Sequence, residues 1–522
     1  MTTVARSSVP ADQENDVRPM TGKEYLDSLR DDRQVYFRGE RVGDVTTHPA
    51  FRNSARSIAR LYDALHDPEA KGLRVPTDTG NGGFTHPFFR TPRSSADLLA
   101  ARDAIVEWQR LGFGWVGRTP DYKASLLGTL SANAEFYGEF ADNARYWYKH
   151  AQERLLYFNH ATVHPPIDRH KPADEIADVC VHVERETDAG LVVSGAKVVA
   201  TNSALTNANF VAHYGVPVKD QRFGLVFTVP MNTPGITLSC RSSYELTAAV
   251  MGSPFDYPLS SRFDENDAIM YFDKVLVPWE NVFLYDAEAA SMWAANSGFL
   301  ERFSLHGCTR LAVKLDFIAG AALKAIELTG ASQFRGVQAQ IGELLSYSGL
   351  FWGLSNSMVH TPTEWVAGSV QPNVYSALAY RTAMGDAYPR IMGILQKVLG
   401  SALIYRTSHA SDWANPELRP LLDRYLRGSD GTPSIERVKL MNLLWDAIGT
   451  EFAGRHELYE LNYAGDYETV RMQTLLMYQQ SGAAARLQDF AQQCMNDYDS
   501  HGWTRPDLIN PDDITIQWTE RR

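Results

Sequence analysis

"GFGWVGRTPDY", residues Gly112 to Tyr122, opens with a complete G-x-G-x-x-G. After a strand and before a helix, those glycines would cradle a pyrophosphate and place the chain among dinucleotide-binding α/β folds. The preceding residues 100–111, "AARDAIVEWQRL", have helical rather than strand character. Gly112, Gly114 and Gly117 are therefore expected to end a helix and form a turn, and no nicotinamide site is expected there. The rest of the stretch carries more chemistry. Thr119 suits an N-cap and Pro120 the first helical position. Arg118 and Tyr122 would then flank a helix N-terminus, where an anion such as a phenolate or carboxylate is favoured. On the motif alone, the favoured reading is a simple capped helix with both side chains on the surface.

The bulk numbers exclude several classes. A chain of 522 residues suggests about three domains at roughly 150 residues each. A net charge of −12 argues against a nucleic-acid or basic membrane-surface binder. Cys180, Cys240, Cys308 and Cys494 are scattered without a C-x-x-C pair, so neither a disulfide framework nor a metal site is expected. Buried thiols in a reducing cytosol, and hence a cytoplasmic location, are the plain expectation. No transmembrane run or signal peptide is evident.

Along the chain, residues 1–20 look like a disordered leader. Thr21 and Glu24 have capping-box spacing, and residues 21–164 carry mostly amphipathic helical patterns. Residues 165–290 change to short Val-, Thr- and Phe-rich runs punctuated by Gly and Pro, a β domain. Residues 291–522 return to long helices with wide apolar faces, a C-terminal helical bundle and tail. The class is α+β, mainly α.

Five segments in order, "GRTPDY", "YFNHATVHPPIDR", "SGAKVVATNSALTNANFVAHYG", "FDKVLVPWENVF" and "LLWDAIGTEFAGRHELYE", make the chain resemble the oxygenase component of the 4-hydroxyphenylacetate 3-hydroxylase family. The resemblance spans nearly the whole chain after the leader and looks closest to members acting on tyrosine- or coumarate-like phenols. It implies an acyl-CoA dehydrogenase-like fold: N-terminal helical domain, central β-barrel, C-terminal bundle. It also implies a homotetramer and a separate flavin reductase that delivers FAD as FADH2. With O2 as co-substrate, a phenol becomes a catechol by way of a flavin C4a-hydroperoxide.

Carried over by position, Arg118, Tyr122 and His160 match the phenol-binding trio. His160, Ala161 and Thr162, with Pro166, Ile167, Asp168 and Arg169, match flavin-contacting stretches. Thr201 matches a contact from the barrel, and Gly449, Thr450, Glu451 and Phe452 one from the bundle. "TGASQFRGVQAQIGELL" resembles a segment that reaches a neighbouring subunit's flavin. The stretch between "TNANFVAHYG" and "FGLVFTVP" is short for the family. That implies an open pocket and puts 4-hydroxyphenylacetate itself in question, leaving a free or carrier-tethered phenol.

The chemistry suits the trio. A phenol of pKa about 10 is mostly un-ionised at neutral pH, and cationic donors favour its reactive phenolate. Arg118 brings permanent charge, Tyr122 a donor, and His160 a proton acceptor. The alternative on the same fold is an acyl-CoA dehydrogenase or oxidase, with Glu451 as the conceivable base. A hydroxyacyl-CoA dehydratase would need an iron–sulfur cluster that the scattered cysteines do not provide. A flavin-free scaffold is the non-enzymatic reading.

Overall fold

The computed structural model describes residues 17–168, 170–171, 173–214, 218–500 and 502–505. The leader expected over residues 1–20 falls mostly outside them, as does Arg169. Among the described residues no helix is long and apolar enough to cross a membrane.

The first helix, Gly22–Ser28, starts as its sequence dictates. The Thr21 hydroxyl accepts from the Glu24 N–H at 3.2 Å, and the Glu24 carboxylate accepts from the Thr21 N–H at 2.7 Å. Helices Arg52–His66, Ser95–Leu111 and Ala141–Arg154 follow. Two of the strands in this mostly helical stretch, "QVYF" and "FNHA", join parallel to strands of the central region. Gln34–Phe37 pairs parallel to Ile236–Cys240, and Phe158–Ala161 pairs parallel to Ala208–Val211.

The central strands form two sheets. The six-stranded sheet runs in the order Glu40–Arg41, Gln34–Phe37, Ile236–Cys240, Ala268–Pro278, Gly190–Lys197, His182–Thr187. The four-stranded sheet runs Val282–Tyr285, Leu225–Pro230, Ala208–Val211, Phe158–Ala161. The strand Ala268–Pro278 shows why the pattern reads as β. Ala268, Met270 and Phe272 are buried between exposed neighbours, and after a bulge Val275 and Val277 resume the alternation.

The 30-residue helix Phe299–Leu328 is apolar over much of its circumference and packs against Ser95–Leu111, Arg335–His360 and Val374–Leu399. Helices Ser434–Ile448 and Glu451–Asn462 complete this part. The described chain divides into two compact units, Met1–Leu461 and Asn462–Arg522. The second holds helices Tyr467–Gln480 and Ala483–Met495, joined through Gly482 at φ 71°, and a hairpin of Tyr498–Asp499 with Gly502–Trp503. Met472, Leu475, Leu487 and Phe490 are exposed on its helices.

Candidate active site

The glycine motif follows a helix, not a strand. Helix Ser95–Leu111 ends at Gly112, and Phe113 and Gly114 turn left-handed at φ 53° and 73°. The Gly114 N–H closes the helix end by donating to the Gln109 carbonyl at 2.9 Å. A Cβ at Gly114 would come within 2.6 Å of the Lys314 backbone nitrogen, and one at Gly117 would strike the Tyr459 hydroxyl. Both glycines are there for close packing of this loop on the bundle.

The helix expected to start at Thr119 is different in kind. Asp121–Lys123 is a single 3-10 turn, followed by the four-residue helix Ala124–Leu127. Thr119 does not cap it: its hydroxyl takes a hydrogen bond from Gln109 at 3.1 Å and meets His306 Nε2 at 3.4 Å. So short a turn has little dipole to offer an anion. The positive potential comes from side chains instead.

Arg118, Tyr122 and His160 do come together. The Arg118 guanidinium carbon lies 4.4 Å from the Tyr122 ring centre, and the Tyr122 and His160 rings are 5.4 Å apart. Arg118 and Tyr122 are buried rather than on the surface. The strand Phe158–Ala161 presents half-buried His160. Its pKa is held well below 6.5 by burial and by the cations Lys123 and Arg118, so the ring is neutral. On the other side of Tyr122, buried Asp121 and His306 form a 3.2 Å pair, and the His306 ring stands edge-on to Tyr122 at 5.3 Å.

Behind Arg118 lies a layer absent from the sequence reading. The Arg118 N–H donates to the Glu265 carboxylate at 2.5 Å, and its guanidinium donates to the Tyr459 hydroxyl at 3.3 Å. Arg455 binds Glu265 at 3.3 Å and Asp267 at 2.8 Å, and Arg241 binds Asp267 at 2.9 Å. These guanidiniums hold the Asp267 carboxyl far below its ordinary range, against the opposing effect of burial. Thr201 donates to the same Asp267 at 2.7 Å. Barrel, bundle and the Arg118 loop thus meet on two carboxylates. Arg455 and Tyr459 are four residues apart on one helix face, within "GRHELYE". That spacing was the available signal.

Lys123 was missed altogether. It is fully buried, and its Nζ lies 2.8 Å from His160 Nδ1 and 4.8 Å from the Tyr122 ring centre. Burial and then Arg118 push its pKa well below 10.5, with Glu265 opposing.

The candidate cofactor residues fall into two groups. Ala161 is buried and Thr162 half-buried, while Pro166, Ile167 and Asp168 are exposed on the following turn. An isolated antiparallel bridge, Val163 to Val198, joins this segment to the turn carrying Thr201. Val163, Ile167 and Val199 are 43%, 49% and 62% exposed there. Val199 has φ 54°, a strained value for a β-branched residue. Buried Lys197 fastens the segment from below, donating to the carbonyls of Thr162 at 3.3 Å and Ala212 at 3.0 Å. Exposed aliphatic side chains beside the Thr162 and Thr201 positions fit a flat ring system with a polar edge. The second group ends helix Ser434–Ile448 at Gly449. The Thr450 hydroxyl accepts from the Ala453 N–H, Glu451 is exposed, and Phe452 is buried against Trp115 at 5.6 Å. Exposed Glu451 is poorly placed as a buried base.

Fold and site define a flavoprotein of the acyl-CoA dehydrogenase-like class. Family models described as the N-terminal and C-terminal parts of 4-hydroxyphenylacetate 3-hydroxylase match residues 21–284 and 290–492. The chain belongs to the 4-hydroxyphenylacetate 3-hydroxylase family and is a monooxygenase oxygenase component that uses FAD. It is 69% identical over 503 residues to the oxygenase component of 4-nitrophenol 2-monooxygenase from a Rhodococcus species, covering 96% of this chain and 97% of that one. It is 57% identical over 505 residues to a Streptomyces globisporus monooxygenase of a carrier-protein-bound (3S)-3-amino-3-(3-chloro-4-hydroxyphenyl)propanoyl group, covering 96% of each. A crystal structure of a 4-hydroxyphenylacetate 3-monooxygenase oxygenase component with FAD and 4-hydroxyphenylacetate superposes at TM-score 0.85 and 30% identity, covering 91% of this chain and 99% of that one.

Proposed function

We propose that the chain hydroxylates a para-substituted phenol at the carbon beside its hydroxyl, giving a catechol, with reduced FAD delivered by a separate flavin reductase. The observation that carries the reading is the cluster of Arg118, Tyr122 and neutral His160 around one point. Arg118 and the Tyr122 hydroxyl hold the phenol oxygen, and each hydrogen bond to its charged form contributes about 1.5–3 kcal/mol. His160 accepts the phenolic proton. It remains neutral and able to accept a proton because burial, and with it the Arg118 guanidinium, opposes its protonation.

Ala161, Thr162, Pro166, Ile167, Asp168 and Arg169 would hold the cofactor with Thr201 and the Gly449–Phe452 corner. When bound, reduced FAD supplies the electrons that activate O2 for attack on the ring. The Glu265–Asp267–Arg455 layer keeps Arg118 and Thr201 in register. The substrate is a phenol of nitrophenol, tyrosine or coumarate type, free or carrier-tethered. Its closer relatives act on one small phenol and one carrier-bound phenol. We take the working assembly to be a homotetramer and its location to be cytoplasmic. The exposed stretch Phe334–Gly336, within the segment that resembles a neighbour-reaching one, supports the assembly.

The test is a panel of 4-nitrophenol, 4-hydroxyphenylacetate, coumarate, tyrosine and a carrier-bound tyrosyl unit, each with flavin reductase, FAD and NADH. Catechol from at least one phenol is expected, with little NADH oxidation when the reductase is left out. No hydroxylated product from any phenol would overturn the reading.

A further inference from the structure

Arg118, Lys123 and Lys197 lie in or under the site, in front of the layer that holds Arg241 and Arg455. Arg118 donates to the Tyr459 hydroxyl, and Lys197 is held by the Thr162 and Ala212 carbonyls as well as lying 3.2 Å from His164 Nε2. Lys123 meets the Tyr122 ring face and, at hydrogen-bond distance, the imidazole of the phenol-binding His160. It is fully buried one residue after Tyr122, and its Nζ lies 2.8 Å from the ring nitrogen Nδ1 of His160.

We propose that Lys123 is a positioning residue that acts through His160 as the final acceptor of the phenolic proton. The inference rests on the phenol hydroxylase reading above. An imidazole has two nitrogens, and whichever group one of them bonds sets the role of the other. With Lys123 as a neutral amine, Nδ1–H donates to Nζ, and Nε2 carries the lone pair that the phenol needs. When the phenol binds, its O–H bond breaks as an Nε2–H bond forms. The Nδ1–H bond breaks as an Nζ–H bond forms. The products are a phenolate, a still-neutral imidazole and an ammonium. The ammonium now donates to Nδ1, which fixes the tautomer whose Nε2–H holds the phenolate. Two protons have shifted for a net transfer of one from phenol to lysine, and the new negative charge faces one cation more than before.

The surroundings permit the amine form. Arg118 faces Lys123 from the loop, His160 from the strand and Tyr122 from the same turn. Glu265 is the carboxylate acting on Lys123, and it is engaged by the Arg118 N–H and by Arg455. Burial and Arg118 push the lysine well below its ordinary range. A relay of this kind matters only when the phenol must lose its proton. It is superfluous for a phenol that arrives ionised.

The experiment compares the parent with Lys123→Met and Lys123→Gln on two phenols. One is an alkyl phenol, un-ionised at working pH. The other is 4-nitrophenol at mildly alkaline pH, where it is largely ionised. Product, peroxide and melting temperature are recorded. The ionisation of enzyme-bound 4-nitrophenol is followed by its nitrophenolate absorption, with and without FAD. Met removes both bonding and proton acceptance, while Gln keeps a donor to Nδ1 but takes no proton. Loss of a positioned base costs about 10²- to 10⁴-fold, and that loss is expected for the alkyl phenol in both variants. The nitrophenol rate should stay near the parent's, and bound nitrophenol should ionise at higher pH in Lys123→Met. Equal losses on both phenols with unchanged ionisation would overturn the proposal. So would a parent rate on the alkyl phenol in either variant. If Lys123→Met does not fold, the same two comparisons on Lys123→Gln decide. A parent that hydroxylates neither phenol would instead sink the phenol hydroxylase reading.

Discussion

Lys314 and Lys123 are equally buried and do opposite things. Lys314, on the long Phe299–Leu328 helix, places its Nζ 2.9 Å from the Glu460 carboxylate, which also receives Arg310 at 2.5 Å. That carboxylate keeps Lys314 at about 8 despite complete burial, and the two cations pull Glu460 down to about 2. Lys123 has an imidazole at bonding distance where Lys314 has a carboxylate, and the carboxylate that acts on it, Glu265, is already engaged by the Arg118 N–H and by Arg455. A buried lysine paired with a carboxylate is a fixed strut. One paired with a neutral base in a cationic setting can change its protonation state. The same residue type at the same depth is structural or chemical according to its partner.

That contrast can be broken from the structural side first. Glu460→Gln strips the carboxylate from two buried cations and should cost about 3–5 kcal/mol of stability. Urea unfolding would measure it. A loss under about 1 kcal/mol would mean the triad is not the strut described here. Arg118→Ala acts on the chemical side. Removing one charge-assisted hydrogen bond should cost about 1.5–3 kcal/mol of transition-state stabilisation, or roughly 10- to 150-fold in hydroxylation. Peroxide should rise as product falls. Unchanged catechol formation with no added peroxide would place Arg118 outside the chemistry.

Acid titration sharpens the comparison further. Glu460 is depressed from 4.5 to about 2 by Arg310 and Lys314. Its stabilising contribution is therefore complete above pH 4.5 and lost as pH falls toward 2. Glu460→Gln should lack this component, so the stability gap between parent and variant should narrow across that window. A gap independent of pH would contradict the assignment. The smallest effect belongs to a site remote from both lysines. Thr21→Ala removes the first helix's capping box and should cost about 1 kcal/mol, read as a small drop in melting temperature with hydroxylation unchanged. A change in activity there would show that the two lysine sites are less local than their contacts imply.

Local features were the ones visible in the sequence. Thr21 and Glu24 sit three residues apart, so their reciprocal bonds could be read directly. The helix before Gly112 was enough to reject a nucleotide cradle. The trio itself came from family likeness, since nothing in residue spacing brings His160 to Tyr122. Thr119 was misread because its cap geometry competes with Gln109 and His306, and His306 lies 187 residues away. The carboxylate layer was invisible for the same reason. Arg118 meets Tyr459 across 341 positions and Glu265 across 147. Lys123, next to a residue already singled out, was overlooked because a lysine in sequence reads as solvent-facing.

The helix Glu451–Asn462 carries Arg455 and Tyr459 toward the site and Glu460 into the buried triad. All three depend on its angular phase. Substitution at any one of them removes one partner. Deleting a single residue at the start of this helix would turn everything after it by about 100°, withdrawing the support of Arg118, the clamp on Asp267 and the counter-ion of Lys314 together. The helix behaves like a camshaft, tolerant of worn lobes and intolerant of mistiming.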